Sequence, residues 1–264
     1  MARYTDGHGY CFGCQYYESG SEVNGVSHDT RRPSLGLLSI EYKDLSRRGI
    51  TEETCRKWGY GVAEYQGEAV QVANYRDAEG RVVAQKIRTK DKDFRTLGEF
   101  KGIGLWGESL WRDGGKMIVL TEGELDAMSV SQVQGNKWPV ASLPSGAAAA
   151  VKAVQQSIEW LETFERVVFM FDMDEPGQKA ARECAMQVSP GKGRIAALPL
   201  KDANDMLVTG KSKELISAIW DAKCYRPDGV VLGDSELWDR INESRDVESV
   251  EYPWQGLNEK TYGM

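Results

Sequence analysis

The sequence predicts an α/β fold in which a basic α+β part comes first and a mostly parallel sheet flanked by helices follows. Three observations carry this expectation. Short apolar runs at Met117 to Leu120, Val167 to Phe171 and Ile195 to Leu200 each lead directly into acidic residues. The runs are separated by helix-length segments, as buried parallel strands are. Upstream, period-two segments at Gly67 to Tyr75 and Arg81 to Arg88 flank Asp77-Ala78-Glu79-Gly80, whose composition marks a hairpin turn.

Taken in order, the chain opens with Tyr4 to Cys14, which looks like the second half of a zinc ribbon, a hairpin ending in Cys11-x-x-Cys14. A structural zinc site takes four ligands, and even with His8 the first Cys pair is missing. The expectation is therefore a partial zinc module without Zn²⁺, the chain beginning inside it, then a polar linker from Gly20 to Pro33. From Ile40 the spacing of Tyr42, Leu45 and Arg48 predicts a helix stopping at Gly49, and a second helix starts at Thr51, a good N-cap, and stops near Gly59. In the segment Val83 to Phe94, Lys86 and Arg88 share one side of a strand, with Lys90 and Lys92 in the loop beyond. A cluster of cations neutralises phosphate, although lysines also protect solvated edge strands. The aromatic stretch Gly104 to Trp111 is expected to pack a seam rather than stack on bases. Helices are predicted at 124–134, 147–161, 175–188, with Pro176 in its first turn, and from Lys211 to Trp220. Residues 225–233 have linker character and 235–243 the pattern of a short amphipathic helix.

At 264 residues the chain accommodates one large or two modest domains. The division predicted is 1–33, partial zinc ribbon and linker; 34–114, basic subdomain; 115–224, catalytic subdomain; 225–264, linker. No apolar run of membrane-spanning length or signal-peptide pattern is present, so a soluble, cytoplasmic protein with no membrane partner is expected. Five cysteines, with only Cys11 and Cys14 close together, do not form a disulfide framework. Net charge is −7, but residues 31–101 hold 15 Lys and Arg against 11 Asp and Glu, a local +4 that leaves −11 elsewhere. A basic lobe beside an acidic one suits a protein that holds a polyanion with one and metal with the other.

Parallel sheets gather their chemistry at the carboxyl ends of the strands, so the three acidic clusters can share one crevice. Asp172 and Asp174, two apart in extended chain, point to the same side. Adjacent carboxylates repel unless a cation lies between them, and hard Mg²⁺ is the usual partner. The competing reading is solvated strand ends and helix caps. Ser145-Gly146, ahead of an alanine run, offers backbone amides to a phosphate or simply a helix cap.

Thr121-Glu122-Gly123-Glu124 with Asp126, Phe171-Asp172-Met173-Asp174 with Gly177, and Lys201-Asp202-Ala203-Asn204-Asp205 together resemble the TOPRIM signature. From Asp6 to the C-terminus the flanks resemble the primase half of bacteriophage T7-type primase-helicases. The resemblance implies a TOPRIM-like catalytic subdomain and a DNA primase core that makes short RNA primers on single-stranded DNA from ribonucleoside triphosphates. It implies two Mg²⁺ or Mn²⁺ ions held by Asp172, Asp174 and Asp202, with Glu122 a further ligand or the proton carrier, and Glu124 and Asp126 orienting metal-bound water. Lys86 and Lys92 correspond to lysines implicated in nucleotide handling, and Arg88, Lys90, Arg95, Ser145 and Gly146 are further nucleotide or template candidates. Tyr252 to Asn258 resembles the entry to a hexameric helicase motor, and no Gly-x-x-x-x-Gly-Lys-Ser/Thr loop occurs in the chain. A separate replicative helicase is therefore the expected partner, and a monomer the expected state. Alternatives left open are a TOPRIM nuclease or phosphohydrolase, and a noncatalytic adaptor that binds single strands and docks a helicase. A haloacid-dehalogenase phosphatase fits poorly, because Glu175-Pro176-Gly177 departs from its pattern.

Overall fold

The computed structural model describes residues 36–91 and 93–227 with their side chains, the backbone of 2–3, 9–10 and 17–18, and the single residues Trp238, Asn242, Pro253 and Gly256. The chain divides into two compact units, Met1–Leu35 and Gly36–Met264. In the first, β1 (Ala2–Arg3), β2 (Gly9–Tyr10) and β3 (Tyr17–Glu18) form an antiparallel sheet in that order. His8, Cys11, Cys14 and the linker expected at 20–33 lie outside the described residues, as does most of the helix expected at 235–243 and of the segment 252–258.

The second unit begins with a departure from expectation. No helix runs from Ile40. Glu41 pairs with Val62, Leu45 with Ile50, and only one 3₁₀ turn forms, Ser46–Arg48, closed by Gly49 at φ 64°. Nucleating a helix fixes several residues for a single bond, whereas the extended strap gains bonds to the sheet at once, including Leu38 N to Gln85 Oε1 at 2.7 Å. The next helix matches its prediction: α1 (Glu52–Trp58) is capped by the Thr51 side chain and ends at left-handed Gly59.

Strands β4 (Tyr60–Tyr65), β5 (Glu68–Arg76), β6 (Val82–Arg88) and β7 (Phe94–Gly98) form an antiparallel meander in chain order. Gln66 and Gly67, both at positive φ, make the two-residue turn between the first two. Alternation gives the sheet two faces. Val70, Val72 and Ile87 are closed over by Leu38, Ile40, Tyr65 and Leu97. Ala73, Tyr75 and Ala84 face the main core instead.

The rest is a doubly wound unit: β8 (Ile118–Thr121), α2 (Glu124–Val133), β9 (Val140–Ser142), α3 (Ala150–Gln156), α4 (Ile158–Leu161), β10 (Val167–Met170), α5 (Glu175–Ala185), β11 (Gly193–Ile195), α6 (Ala203–Val208), α7 (Ser212–Trp220) and β12 (Lys223–Cys224). The strand order is β12-β11-β10-β8-β9, parallel except for β12 at the edge. Val119, Val168 and Met170 pack with α2 and α7 on one face. Ile118, Leu120, Val167 and Phe169 pack with α3 and α5 on the other.

Three predicted boundaries shift, the first being the helix expected over 175–188, which ends at Ala185. The third apolar run, expected to be a strand over 195–200, ends as a strand at Ile195; one further bond joins Ala196 N to Phe169 O at 3.0 Å, and Pro199 has no N–H to extend the ladder. The helix expected over 147–161 is a 3₁₀ turn at 147–149 followed by α3 and α4, broken at Ser157. Ser157 is buried and its hydroxyl donates to Glu108 Oε2 at 2.8 Å, tying the segment before β8 to this layer. Among the described residues, no helix is long and apolar enough to cross a membrane.

The aromatic segment packs the seam between the two sheets. Trp106 lies 4.7 Å from the Trp58 ring, donates its indole N–H to Asn74 O at 2.8 Å, and bonds the edge strand β9 through Ser142. Trp106→Ala is expected to cost about 3–5 kcal/mol, read as a lower urea midpoint at unchanged slope; a loss below about 0.5 kcal/mol would mean that the seam is held elsewhere.

Candidate active site

The carboxyl ends of β8 and β10 open into a cleft of 790 Å³ whose floor carries Glu122, Asp126, Asp172 and Asp202. Each acid arrives by a different local device. Thr121 Oγ1 donates to Gly123 O and Ala141 O at 3.1 and 3.3 Å, fixing the turn from β8 into α2 and so the stem of Glu122. Glu122 Oε1 accepts from the Ala147 amide at 3.3 Å, while Oε2 is buried without a partner. That amide follows Ser145-Gly146, where Gly146 has a positive φ of 68°. Ser145 stands exposed on the cleft wall.

Asp172 follows β10, with Lys201 Nζ 3.5 Å away. Burial, then Glu122 and Asp202, push its carboxyl up to about 6 despite that lysine. Gly177 permits the close packing here, since a Cβ at that position would meet the Asp172 backbone carbonyl. Asp174 is exposed and caps α5, its Oδ1 accepting from Gly177 N at 2.9 Å. Asp202 caps α6, accepting from Asp205 N at 2.7 Å. The loops carrying the second and third clusters are joined by Met173 N to Lys201 O, 2.8 Å. Half-buried Asp126 accepts from Asn204 N at 3.0 Å; burial and then Asp202 nevertheless push it up to about 8.

The opposite wall comes from the antiparallel sheet. Lys86 donates to Glu124 Oε1 at 2.8 Å and to Pro144 O at 2.9 Å, and Tyr75 O–H donates to the same Glu124 oxygen at 2.7 Å. Glu124 is thus the buried counter-charge of Lys86, and it lines the same cleft as the acids. Arg88 also lines the cleft. Arg95 is at its edge, but its guanidinium reaches Gln66 Oε1 at 3.2 Å and lies over Tyr65. Lys90 lines a neighbouring cavity of 530 Å³ with Arg47 and Arg48. Lys92 lies outside the described residues.

Sequence reasoning missed Arg48. It exchanges two hydrogen bonds with Asn204, Nη1 to Oδ1 at 3.2 Å and Nδ2 to the Arg48 carbonyl at 2.9 Å, while Asn204 Nδ2 also reaches Ser129 Oγ at 2.9 Å. The only signal was a basic pair before Gly49, which reads equally well as a solvated turn.

Among the described residues, no three Asp, Glu, His or Cys side chains are drawn together tightly enough to ligate one ion. The donor chemistry nonetheless fits a divalent cation. The donors are all hard carboxylate oxygens, Glu122 Oε2 is buried and unpartnered, and the mutual repulsion that raises Asp172 is what such a cation relieves.

Comparison with known proteins places the acidic crevice and the basic antiparallel sheet beside it in a class that joins a TOPRIM unit to a phage primase N-terminal fold. Residues 119–207 match the family described as "Toprim-like", and residues 41–98 match "Bacteriophage T7 DNA helicase/primase, N-terminal a+b fold". The chain belongs to the bacteriophage T7-type primase-helicase family. It is 41% identical over 276 residues to the DNA helicase/primase of Enterobacteria phage T3, covering 98% of this chain and 48% of the relative, about half its length. The primase fragment of the bacteriophage T7 primase-helicase superposes with a TM-score of 0.69 at 41% identity, covering 82% of this chain and 92% of that one. A T7 primase-domain structure, solved with the lagging-strand DNA polymerase, an RNA/DNA hybrid and dTTP, gives 0.69 at 45% identity, covering 73% and 97%.

Breaking the buried Lys86–Glu124 pair from one side leaves a charge uncompensated, so Lys86→Met is expected to cost about 3–5 kcal/mol, and Lys86→Met with Glu124→Gln to regain most of it, by chemical denaturation. The raised acids set a pH dependence. Asp172 and Asp126 hold protons in the folded state that they release when unfolded, so each lowers stability as pH rises from about 4 through its folded value, about 6 and about 8. The metal-free protein should accordingly show a Tm that falls across pH 4 to 8, with Mg²⁺ restoring it at the upper end; a Tm rising over this range would mean that the acids are not coupled as described.

Proposed function

We propose that this chain is the catalytic core of a DNA primase, joining ribonucleotides into short RNA primers on a single-stranded DNA template. The observation that carries this reading is the facing of two unlike walls across one cleft: Lys86 and Arg88 from the antiparallel sheet against the acids at the ends of β8 and β10. The T7 relative's primase domains, with their RNA/DNA hybrid and dTTP, support the same assignment of template and nucleotide. We assign the basic subdomain to 34–114 and the TOPRIM subdomain to 115–224, bounds that enclose the two sheets.

The reaction needs the 3′-hydroxyl of one nucleotide to attack the α-phosphorus of the next while pyrophosphate leaves. Asp172 and Asp202, which line the cleft, and the exposed Asp174 would hold divalent metal, which when bound lowers the pKa of that hydroxyl and stabilises charge on the leaving oxygens. Glu122, with one oxygen fixed by the Ala147 amide and the other free, is placed either to join that set or to accept the hydroxyl proton. Lys86 and Arg88 offset the negative charge of the triphosphate, and Lys92 shares that task by family resemblance. Glu124 and Tyr75 hold Lys86 in place. Asp126 acts through the backbone, anchoring Asn204 beside the Asp202 cap. A replicative helicase is the partner this reading requires to open the template.

Extension of a diribonucleotide on single-stranded DNA with labelled ribonucleoside triphosphates and Mg²⁺ is the direct test. Incorporation should be metal-dependent and fall to background in Asp172→Asn, which keeps the wild-type circular dichroism. Binding of DNA without incorporation would identify an adaptor, and release of phosphate without extension a phosphohydrolase.

A further inference from the structure

One aromatic side chain in the cleft is out of keeping with the rest. Phe94 is 55% exposed, whereas Phe164, Phe169 and Phe171 are fully buried. It lies opposite Arg88 in the β6–β7 ladder, so its ring stands on the face of the sheet that carries Lys86 and Arg88. The ring centre is 4.9 Å from Lys86 Nζ and 5.8 Å from the Arg88 guanidinium carbon. Phe94 lines the same cleft as the acids. Core packing does not account for a ring left this open at the mouth of a charged site.

We propose that Phe94 is the platform on which the base of the incoming ribonucleoside triphosphate stacks, while Lys86 and Arg88 beside it take the phosphates. This deepens the primase reading and rests on it. A nucleotide joins a flat π-face to a polyanion through one sugar, and β6 and β7 present the complementary pair, ring and cations, on one surface. Stacking on an aromatic side chain tolerates every base, because each has a π-face. That tolerance suits an enzyme whose choice of nucleotide must come from template pairing. Attraction between the two cations and the ring biases the platform's position before substrate arrives.

The alternative is that Phe94 merely covers the aliphatic stem of Lys86, and binding measurements separate the two. Calorimetric titration of the whole chain with each of the four ribonucleoside triphosphates, and separately with inorganic tripolyphosphate, would compare wild type with Phe94→Ala, Phe94→Leu and Phe94→Trp. Stacking predicts that Ala and Leu weaken all four nucleotides by roughly 10-fold, that Trp binds them at least as well as wild type, and that tripolyphosphate is unaffected throughout. In primer extension the nucleotide KM of Phe94→Ala should rise with kcat little changed. The proposal fails if Leu binds nucleotide like wild type, if tripolyphosphate weakens in parallel, or if only affinity for the DNA template drops. A wild-type protein that bound no ribonucleotide would overturn the primase reading itself, an outcome distinct from any of these.

Discussion

Like charges brought close together are the constraint around which this molecule is arranged. Glu122, Asp126, Asp172 and Asp202 converge on one crevice, and burial makes their mutual repulsion larger than it would be in water. The fold tolerates this by giving nearly every acid a fixed donor. Backbone amides at Ala147, Asn204 and Asp205 bond Glu122, Asp126 and Asp202, and Lys201 stands beside Asp172. What is left over, chiefly one bare oxygen on Glu122, is the part of the site that asks for a cation.

The second requirement is that a basic sheet be held against these acids without collapsing onto them. Lys86 meets that need by pairing with Glu124, two residues beyond Glu122, and with Pro144 O, while the Tyr75 hydroxyl donates to the same Glu124 oxygen. Two further fasteners keep the walls apart at a set spacing. The Trp58–Trp106–Tyr75 stack fills the seam on the β9 side, and the reciprocal Arg48–Asn204 bonds tie the 3₁₀ turn to α6. Stability and chemistry thus draw on the same residues, which is why so many polar side chains are buried here.

The fold was legible where a residue's own chemistry decides its conformation. Thr51 and Gly59 bound α1, Asp77 to Gly80 turns the hairpin, and the apolar runs before Glu122 and Asp172 are strands. It was misread where a distant partner decides. The strap through Ile40 is extended because Gln85 and Val62 bond it, and the helix after Gly146 breaks because Ser157 answers Glu108. The site followed the same division. Motif and spacing singled out Glu122, Asp172 and Asp202, which line one cleft, but no local pattern says that Glu124 serves Lys86 or that the Arg95 guanidinium reaches Gln66. Arg48 was invisible for a plain reason: its partner is 156 residues away.

That separation along the chain has a bearing on how the protein is born. The acids come from three segments, at 122–126, 172–174 and 202, and the strands that align them lie side by side in the order β8-β10-β11, the order of synthesis with β9 set at the outer edge. A chain still emerging from the ribosome with β8 and α2 complete has already made the basic sheet, but its first acids have no acidic neighbour from β10 or α6 to crowd them. Only when β10 has slid in beside β8, and α6 has closed with Asp202, do the charges meet. The electrostatic cost of the site therefore falls late in synthesis, once β10 and the Asp202 cap have been made, and α7, which covers one face of the sheet, follows directly after.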